Sequence, residues 1–455
     1  MKGYQFEDTQ GTFHLKKAEN ISYLYFPIAG EAGLKSSLTP NLGGDAKIDQ
    51  NTFLLEPVSA ENLVNNRNSR NFWCNVKGIG SWSLTGNAAE ALSKKFTEMQ
   101  DDSEVTAGFM WQKTTRESKK YQLRGEILSF IPVEKNVEVM LVTITNTGRM
   151  AQTVTPTAAI PLYGRSADNI RDHRHVTSLL HRIETTDIGV LVTPTLSFDE
   201  RGHQVNHMTY YCVGWSGNGE KPVDFYPTAE DFVGEGGNFE RPYAIVKNAE
   251  GVKAGTRIEG LEAVGGLHFS EVTLEPEEEC SYLIFTGITE DIQEIRNLSK
   301  TYTTREMVLE ELEKTKAYWQ EKVNVAYHTG DSDFNQFMHW VSFQPILRRI
   351  YGCSFLPHHD YGKGGRGWRD LWQDCLALLI MNPDGVRQML LDNFAGVRVD
   401  GSNATIIGSK QGEFVADRNH ITRVWMDHGV WPMITTKFYI DQTGDLELLE
   451  KEAAY

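Results

Sequence analysis

Two short segments of the 455-residue sequence combine residue types that are typical of a ligand site. In the first, residues 365–374, guanidinium and carboxylate groups offer the donors and acceptors that hold sugar hydroxyls, and indole rings offer faces on which a sugar can stack. The groups concerned are Arg366, Trp368, Arg369, Asp370, Trp372 and Asp374. The segment is equally typical of a surface turn followed by an amphipathic helix that Asp370 caps, and its composition does not choose between the two.

The second segment, residues 417–431, places a carboxyl group between indole rings. Trp425 and Trp431 flank Asp427 and His428. A carboxyl group beside indoles is partly desolvated, which raises its pKa and suits it to act as a general acid near neutral pH. Glycosyl transfer needs such an acid to protonate the leaving oxygen. The alternative is that Asp427 caps a helix that begins just after it, with Pro432 near the first turn.

Other motifs in the sequence are weaker. Residues 362–367 match GxGxxG, but no strand precedes them, so a dinucleotide site is not favoured. His173-Arg-His175 and His358-His-Asp360 could supply metal ligands, yet neither has a third or fourth ligand at a suitable spacing. We therefore expect these histidines to be ordinary loop residues or to contact a site only through other residues, and we expect no metal site.

Composition and charge exclude several classes of protein. The formal net charge is −16, so nucleic acid and anionic membranes are not expected partners. No apolar run approaches the roughly 18 residues of a membrane span. The five cysteines are scattered and the N-terminus shows no apolar signal segment, which predicts reduced thiols in the cytoplasm.

The pattern along the chain predicts a β region followed by helices. Short β-branched runs such as residues 137–145 and 152–163, separated by turn residues, indicate a large antiparallel sandwich over residues 1–300. Within residues 304–323, one stripe of helical spacing is formed by Val308, Leu312, Trp319 and Val323. This pattern makes residues 301–329 a helical linker. Residues 330–455 are predicted to be a helical barrel or bundle, with helices at 370–381, 385–395, 430–439 and from 445 onward. A tight connection over residues 440–445 joins the last two. The final helix stops in mid-pattern, so we expect the N-terminal part of a longer protein.

The two segments together resemble glycoside hydrolase family 94. The matching residues are 365–374 and, some fifty positions later, 423–431. Members include inverting phosphorylases of cellobiose, chitobiose and β-1,2-glucooligosaccharides, and modules of cyclic β-1,2-glucan synthases. Residues 22–27 and Ser69-Arg-Asn-Phe-Trp73 look more like the β-1,2-oligoglucan branch. The resemblance implies a β-supersandwich over residues 1–300, a helical linker over 301–329, and the first part of an (α/α)6 catalytic barrel over 330–455.

The resemblance also implies roles for individual residues. Asp427 matches the general acid, and Trp425 matches a tryptophan that lines the subsite of the donor sugar. The positions that match residues gripping the same sugar are Arg366, Arg369, Asp370 and Asp374. The family's phosphate-binding residues would fall beyond Tyr455.

The implied reaction is inverting phosphorolysis of a β-linked glucoside, such as cellobiose or a β-1,2-glucooligosaccharide, to α-glucose-1-phosphate by the full-length protein. Inorganic phosphate is the co-substrate, and neither a metal nor an organic cofactor is implied. A homodimer is the implied assembly of the full-length protein. Two alternatives stay open: an inverting hydrolase on the same barrel, which needs a second carboxylate as base, and a non-catalytic carbohydrate-binding protein.

Overall fold

A computed structural model describes residues 3–21, 25–59, 69–199, 202–351, 366–381, 383, 385–407, 412, 414–415 and 426–452. The chain divides into two compact units. The first comprises Met1–Glu7 and Thr12–Lys316, and the second comprises Asp8–Gly11 and Ala317–Tyr455. The prediction of an antiparallel β domain followed by helices is confirmed, whereas the predicted domain boundaries at residues 300 and 329 stay predictions.

Antiparallel strands make up most of the first unit. In chain order they are β1 (Tyr4–Phe6), β2 (Phe13–Lys16), β3 (Phe26–Ala29), β4 (Lys35–Leu38), β5 (Ala46–Asp49), β6 (Thr52–Leu55), β7 (Asn71–Val76), β8 (Gly80–Ser83), β9 (Asp102–Gly108), β10 (Trp111–Ser118), β11 (Leu123–Phe130), β12 (Val137–Asn146), β13 (Gln152–Leu162), β14 (Arg182–Thr185), β15 (Gly189–Val192), β16 (Leu196–Asp199), β17 (Gly202–Val205), β18 (Thr209–Ser216), β19 (Asp224–Thr228), β20 (Arg257–Glu259), β21 (Ala263–His268), β22 (Val272–Leu274) and β23 (Glu279–Thr289). The helices that accompany them are α1 (Ala89–Lys94), α2 (Arg174–Thr177), α3 (Ala229–Val233), α4 (Tyr243–Lys247), α5 (Ile292–Thr301) and α6 (Arg305–Lys322).

These strands form two large sheets that pack face to face. The eleven-stranded sheet has the order β1-β2-β9-β10-β11-β12-β23-β18-β15-β14-β20. The six-stranded sheet has the order β19-β21-β13-β7-β8, with β22 also paired to β13. Across the interface, the rings of Phe72 in β7 and Tyr282 in β23 lie 5.4 Å apart between centroids. A four-stranded sheet, β3-β4-β5-β6, and the hairpin β16-β17 complete the unit.

The strand pattern of the sequence explains the centre of the sandwich. β12, predicted from its β-branched residues, pairs with β11 and β23 and is buried along its whole length. It ends where the side chain of Asn146 accepts the N–H of Gly148 at 2.9 Å, a turn that the sequence signalled. β13 confirms the second predicted strand.

Helices α5 and α6 cover the outer face of the large sheet. Val308 and Leu312 of α6 join the buried cluster that contains Phe285 and Trp215 of the sheet. The indole Nε1 of Trp215 donates to the carbonyl of Tyr302 at 2.9 Å, so the cover is held by a directed bond as well as by apolar burial. The predicted helical stripe is confirmed, because Trp319 and Val323 are buried too.

The second unit is mainly helical. It contains the end of α6 and then α7 (Ser332–Tyr351), β24 (Arg366–Gly367), α8 (Trp368–Met381), α9 (Val386–Phe394), β25 (Ile406–Ile407), β26 (Phe414–Val415) and α10 (Val430–Thr443). The three short strands form one small sheet. Trp319 at the end of α6 contacts Phe343 of α7, with ring centroids 6.1 Å apart. Among the described residues, no helix combines the length and apolar character needed to cross a bilayer.

The predicted connection over residues 440–445 is wrong in its first four residues. α10 continues through Thr443 and ends at Gly444, whose φ of 72° only glycine adopts readily. A single turn of 3-10 helix, Leu446–Glu450, follows, where the sequence predicted a further α-helix. Residues 440–443 contain neither a glycine nor a proline that would end a helix, so α10 continues until Gly444.

A buried ion pair stabilises the first unit, which predicts the effect of Arg70→Met. Arg70 is 0% and Glu138 1% exposed, and Arg70 Nη2 donates to Glu138 Oε2 at 3.1 Å. Removing the guanidinium leaves the carboxylate buried without its partner, so we expect the free energy of unfolding to fall by about 3–5 kcal/mol in urea denaturation. Lys113→Met, which breaks the half-exposed pair with Glu126, is the control and should cost less than about 1 kcal/mol. Equal losses in the two variants would contradict this account.

Candidate functional site

Helices α8 and α10 position the two segments that the sequence singled out. Arg369 and Asp370 lie in the first turn of α8. Asp427 and His428 lie in the turn directly before α10. The backbone entering α8 is held by the pairing of β24 with β25 and by a bond from the N–H of Trp368 to the carbonyl of Thr405 at 3.0 Å. The backbone at the start of α8 is therefore held on two sides.

Trp368 joins the two segments. Its indole Nε1 donates to the carbonyl of His428 at 3.0 Å, and its ring packs edge-on against Trp372 with centroids 5.6 Å apart. Trp372 in turn offers its carbonyl to the hydroxyl of Thr435 in α10 at 3.0 Å. Both indoles are 0% exposed. The expectation that Trp368 and Trp372 are stacking faces for a sugar is therefore wrong, because both rings are buried. The ring of Trp372 also packs edge-on against Phe394 of α9, with centroids 5.2 Å apart.

Asp427 is the centre of the exposed part of the site. Arg369 Nη1 donates to Asp427 Oδ2 at 2.9 Å, and Trp431 Nε1 donates to the same oxygen at 3.2 Å. The side chains of Arg369 and Asp427 keep 47% and 41% of their surface in solvent. The backbone carbonyl of Asp427, not its side chain, accepts the first N–H groups of α10. The alternative that this carboxylate caps the helix does not match the geometry, and a ligand can reach it.

The electrostatics of Asp427 differ from the expectation. The hydrogen bond from Arg369, followed by that from Trp431, lowers the pKa of Asp427 below its usual value. The predicted raised pKa is wrong for this arrangement, because a half-exposed carboxylate with two donors is stabilised as the anion. Burial lowers the pKa of His428, which favours a neutral imidazole beside the ion pair.

Asp370 and Asp374 lie on the same helix but in different surroundings. Asp374 is 1% exposed, and both of its oxygens accept Arg348 Nε of α7 at 2.9 Å. This bond raises the pKa of Arg348. The negative charge of Asp370 also acts to raise the pKa of both Arg348 and Arg369, so Asp370 belongs to the electrostatic field of the site. The predicted contact of Asp370 and Asp374 with a sugar stays a prediction.

Some predicted positions lie outside the described residues. They are Trp425, the side chain of Arg366, residues 358–360 and most of the glycine-rich run at 362–367. Within the part of the chain that the structure describes, no group of three or more histidine, cysteine, aspartate or glutamate side chains could hold a metal ion.

Two contacts around the site were not predicted. Trp431 donates to Asp427 from four residues further along, a spacing that brings side chains together on a helical turn and could have indicated it. Arg348 lies 26 residues from Asp374, and no local pattern links the two. Only the packing of α7 against α8 reveals that pair.

Comparison with known families matches both units. The model of the glycosyl hydrolase 94 supersandwich domain matches residues 58–305, and the model of the glycosyl hydrolase 94 superfamily catalytic domain matches residues 318–455. The cyclic beta-(1,2)-glucan synthase NdvB of Rhizobium meliloti (strain 1021) is 25% identical over 259 residues, which are 54% of this chain and 8% of that protein. The 3-O-beta-D-glucopyranosyl-beta-D-glucuronide phosphorylase of Paenibacillus borealis is 25% identical over 239 residues, which are 51% of this chain and 29% of that protein. The chain thus spans less than a third of either relative.

Solved structures share the fold at low sequence identity. A candidate kojibiose phosphorylase from the human microbiome aligns with a TM-score of 0.53 and 9% identity, over 98% of this chain and 58% of that one. A bacterial glucoamylase in complex with acarbose aligns with a TM-score of 0.50 and 10% identity, over 92% of this chain and 55% of that one. A phosphorylase and a hydrolase thus share this architecture, so the fold does not distinguish the two reactions.

The bonds to Asp427 predict how its pKa responds to substitution. Arg369→Met removes the first donor, so the pKa of Asp427 should rise toward its usual value, and Trp431→Phe should raise it by less. The carboxyl carbon of Asp427, followed by ¹³C NMR across a pH titration, reports this directly. Lys437→Met, which breaks the exposed pair between Lys437 and Asp441, is the control and should leave the titration unchanged. A pKa that does not move in Arg369→Met would show that the ion pair does not control this carboxyl.

The Arg348–Asp374 pair predicts a loss of stability in Arg348→Met. The buried carboxylate of Asp374 would lose the guanidinium of Arg348, which itself keeps 35% of its side-chain surface in water. We therefore expect a loss of about 2 kcal/mol, below that of a fully buried pair, in urea denaturation. The exposed pair broken by Lys437→Met should cost no more than about 0.5 kcal/mol. A loss as small as that control would mean that Asp374 does not depend on Arg348.

Proposed function

Because this chain belongs to the glycosyl hydrolase 94 superfamily, we propose that its full-length protein catalyses inverting phosphorolysis of a β-linked glucoside to α-glucose-1-phosphate. The observation that carries the proposal is the accessible carboxyl of Asp427, held between Arg369 and Trp431. The substrate we propose is cellobiose or a β-1,2-glucooligosaccharide. The similarity to a protein named as a cyclic beta-(1,2)-glucan synthase supports the second.

Asp427 acts as the general acid in this proposal. It gives its proton to the glycosidic oxygen, the bond from that oxygen to the anomeric carbon breaks, and a phosphate oxygen bonds to that carbon from the opposite face. The configuration inverts, and the product is an α-glycosyl phosphate. Phosphate arrives as an anion, so no carboxylate is needed to deprotonate the nucleophile, whereas a hydrolase needs one for water.

The donor sugar, whose anomeric carbon phosphate attacks, is bound by Arg369 and Asp370 in this proposal. The further residues that bind it are Trp425, Arg366 and Asp374. The bond between Arg369 and Asp427 supports this role, because one guanidinium can hold the carboxylate of Asp427 and turn to sugar hydroxyls when substrate is bound. Losing that donor while a sugar displaces water raises the pKa of the carboxyl. Asp427 then holds its proton where the reaction uses it.

The organisation that we propose for the whole protein follows the sequence. Residues 1–300 form the supersandwich, 301–329 the helical linker, and 330–455 the first part of the (α/α)6 barrel. The protein acts in the cytoplasm as a homodimer, with inorganic phosphate as co-substrate.

Asp427→Asn in the full-length protein tests the proposal. An amide cannot donate the proton, so the rate of α-glucose-1-phosphate release should fall by about 10²–10⁴-fold while sugar binding persists. Release is measured with an enzymatic assay for the sugar phosphate, and binding by calorimetry. Asp441→Asn, an exposed position on α10, is the matched control and should keep full activity. A fully active Asp427→Asn variant would remove Asp427 from catalysis.

The co-substrate and the linkage need a separate measurement. Sugar release from the oligosaccharide is compared with and without phosphate, and α-glucose-1-phosphate is then supplied with a panel of acceptors so that the new bond can be identified. We expect release only with phosphate and a β-linked product. Equal release without phosphate would make the protein a hydrolase.

A further inference from the structure

The β-sandwich contains a polar cleft of about 160 Å³, whose lining includes none of the residues proposed for catalysis. It lies where the start of β7 meets the turn at residues 39–43 and the segment between α3 and α4. This volume holds about a dozen water-sized spheres, about as many as one hexose has non-hydrogen atoms. The whole lining belongs to the first unit.

The segment Ser69-Arg-Asn-Phe-Trp73 forms one wall of this cleft. Ser69, Asn71 and Trp73 line it, as expected for alternate residues of a strand that share one face. Phe72 points to the other face and contacts Tyr282 of β23. The sequence singled out this segment, and the proposed phosphorolysis does not use it.

Several polar groups in the cleft are left without partners within the described part of the chain. The side-chain amide of Asn87 donates to the carbonyl of Asn41 at 2.7 Å and to Ser69 Oγ at 2.7 Å, but its Oδ1 accepts no bond from a described residue. The half-buried side chains of Asn41 and Glu240 likewise form no hydrogen bond with described residues. Trp73 is 2% exposed, and its Nε1–H lacks an acceptor in the described structure. Partly buried groups of this kind are costly unless a ligand or water satisfies them.

The wall that carries these groups is rigid. The guanidinium of Arg70, 0% exposed, donates to the carbonyls of Gly44 at 3.3 Å and Asp45 at 3.1 Å, and so holds the turn that presents Asn41. Asn71 Oδ1 accepts the hydroxyls of Ser83 at 2.7 Å and Thr85 at 2.9 Å. A cleft built in this way is formed before a ligand enters, which lowers the entropy that binding must overcome.

The chemistry of the lining selects a neutral ligand rich in hydroxyl groups. Amide and carboxylate oxygens accept from hydroxyls, and amide and indole N–H groups donate to them. Glu19 is already bonded to Arg116, and the charges of Lys95 and Glu240 are opposite, so the lining carries little net charge to attract an ion of either sign. Leu92 and Ile21, 45% and 40% exposed, provide apolar surface for the C–H face of a sugar ring. A second cavity of about 420 Å³ also has Trp73 and Glu240 in its lining, so a longer ligand can continue there.

We propose that this cleft in the sandwich binds a neutral hexopyranose residue of an oligosaccharide, through Asn41, Asn87 and Glu240. None of these three residues has a part in the chemistry proposed at Asp427. It gives the chain a second place at which to hold a carbohydrate, independent of turnover.

The indole N–H resonance of Trp73 reports on the cleft directly. It can be assigned in a ¹⁵N spectrum of the 455-residue chain by comparison with Trp73→Phe, and then followed during titration with sophorose, laminaribiose, cellobiose and gentiobiose. We expect at least one disaccharide to shift this signal with saturation. Asn41→Ala and Glu240→Gln, which remove groups with no bond to described residues, should each weaken the apparent affinity by about tenfold.

Glu235→Gln, an exposed position between α3 and α4, is the control and should titrate like the unsubstituted chain. Asp427→Asn should do so as well, which keeps this test independent of the catalytic proposal. A Trp73 signal that none of the four disaccharides moves, up to the solubility limit of each sugar, would overturn the proposal. So would unchanged affinity in both cleft variants.

Discussion

The bond from the buried indole of Trp368 to the carbonyl of His428 is the constraint on which the candidate site depends. A buried N–H without an acceptor is costly, so this donor fixes where the turn before α10 can lie. The next residue on α8, Arg369, then meets Asp427, the residue before His428. Two segments that lie 58 positions apart in sequence become one site because a tryptophan between them needs a partner. The indole serves the site by positioning it, not by contacting a ligand.

More of the fold than of the candidate site could be predicted from the sequence. The β-branched residues of β12 and the stripe of α6 each follow from local periodicity, because burial of a strand or helix face leaves a regular mark on the sequence. The shift in the pKa of Asp427 cannot be seen in local periodicity. Its direction depends on whether an arginine distant in the sequence, or only indole rings, contact the carboxyl group. The burial of Trp368 and Trp372 has the same origin: an aromatic ring at the start of a helix suits a ligand site and a helix interface equally well. Sequence patterns identified the residues, but only their tertiary partners determine what each one does.

Four arginines of the described residues are each bonded to a carboxylate in this negatively charged chain. Around the site, Arg348 is bonded to Asp374 and Arg369 to Asp427, so each of these cations already has an anion. In the sandwich, Arg70 and Arg116 are bonded to Glu138 and Glu19. A phosphate co-substrate would have to compete with carboxylates for any of these groups. The proposed reaction therefore requires donors other than these, and Arg369 is better suited to the neutral sugar than to the phosphate.

In the proposed mechanism, the bond between Arg369 and Asp427 also connects substrate binding to the protonation of Asp427. In the arrangement described here the carboxyl is favoured as an anion, which cannot protonate a leaving group. A sugar that takes over the hydrogen bonds of Arg369 removes the interaction that lowers the pKa, and by displacing water it adds the desolvation that raises it. The same event thus delivers the substrate and prepares the acid. In the proposed mechanism Asp427 therefore holds a proton, and can act as the acid, only in the presence of the bond that it is to break.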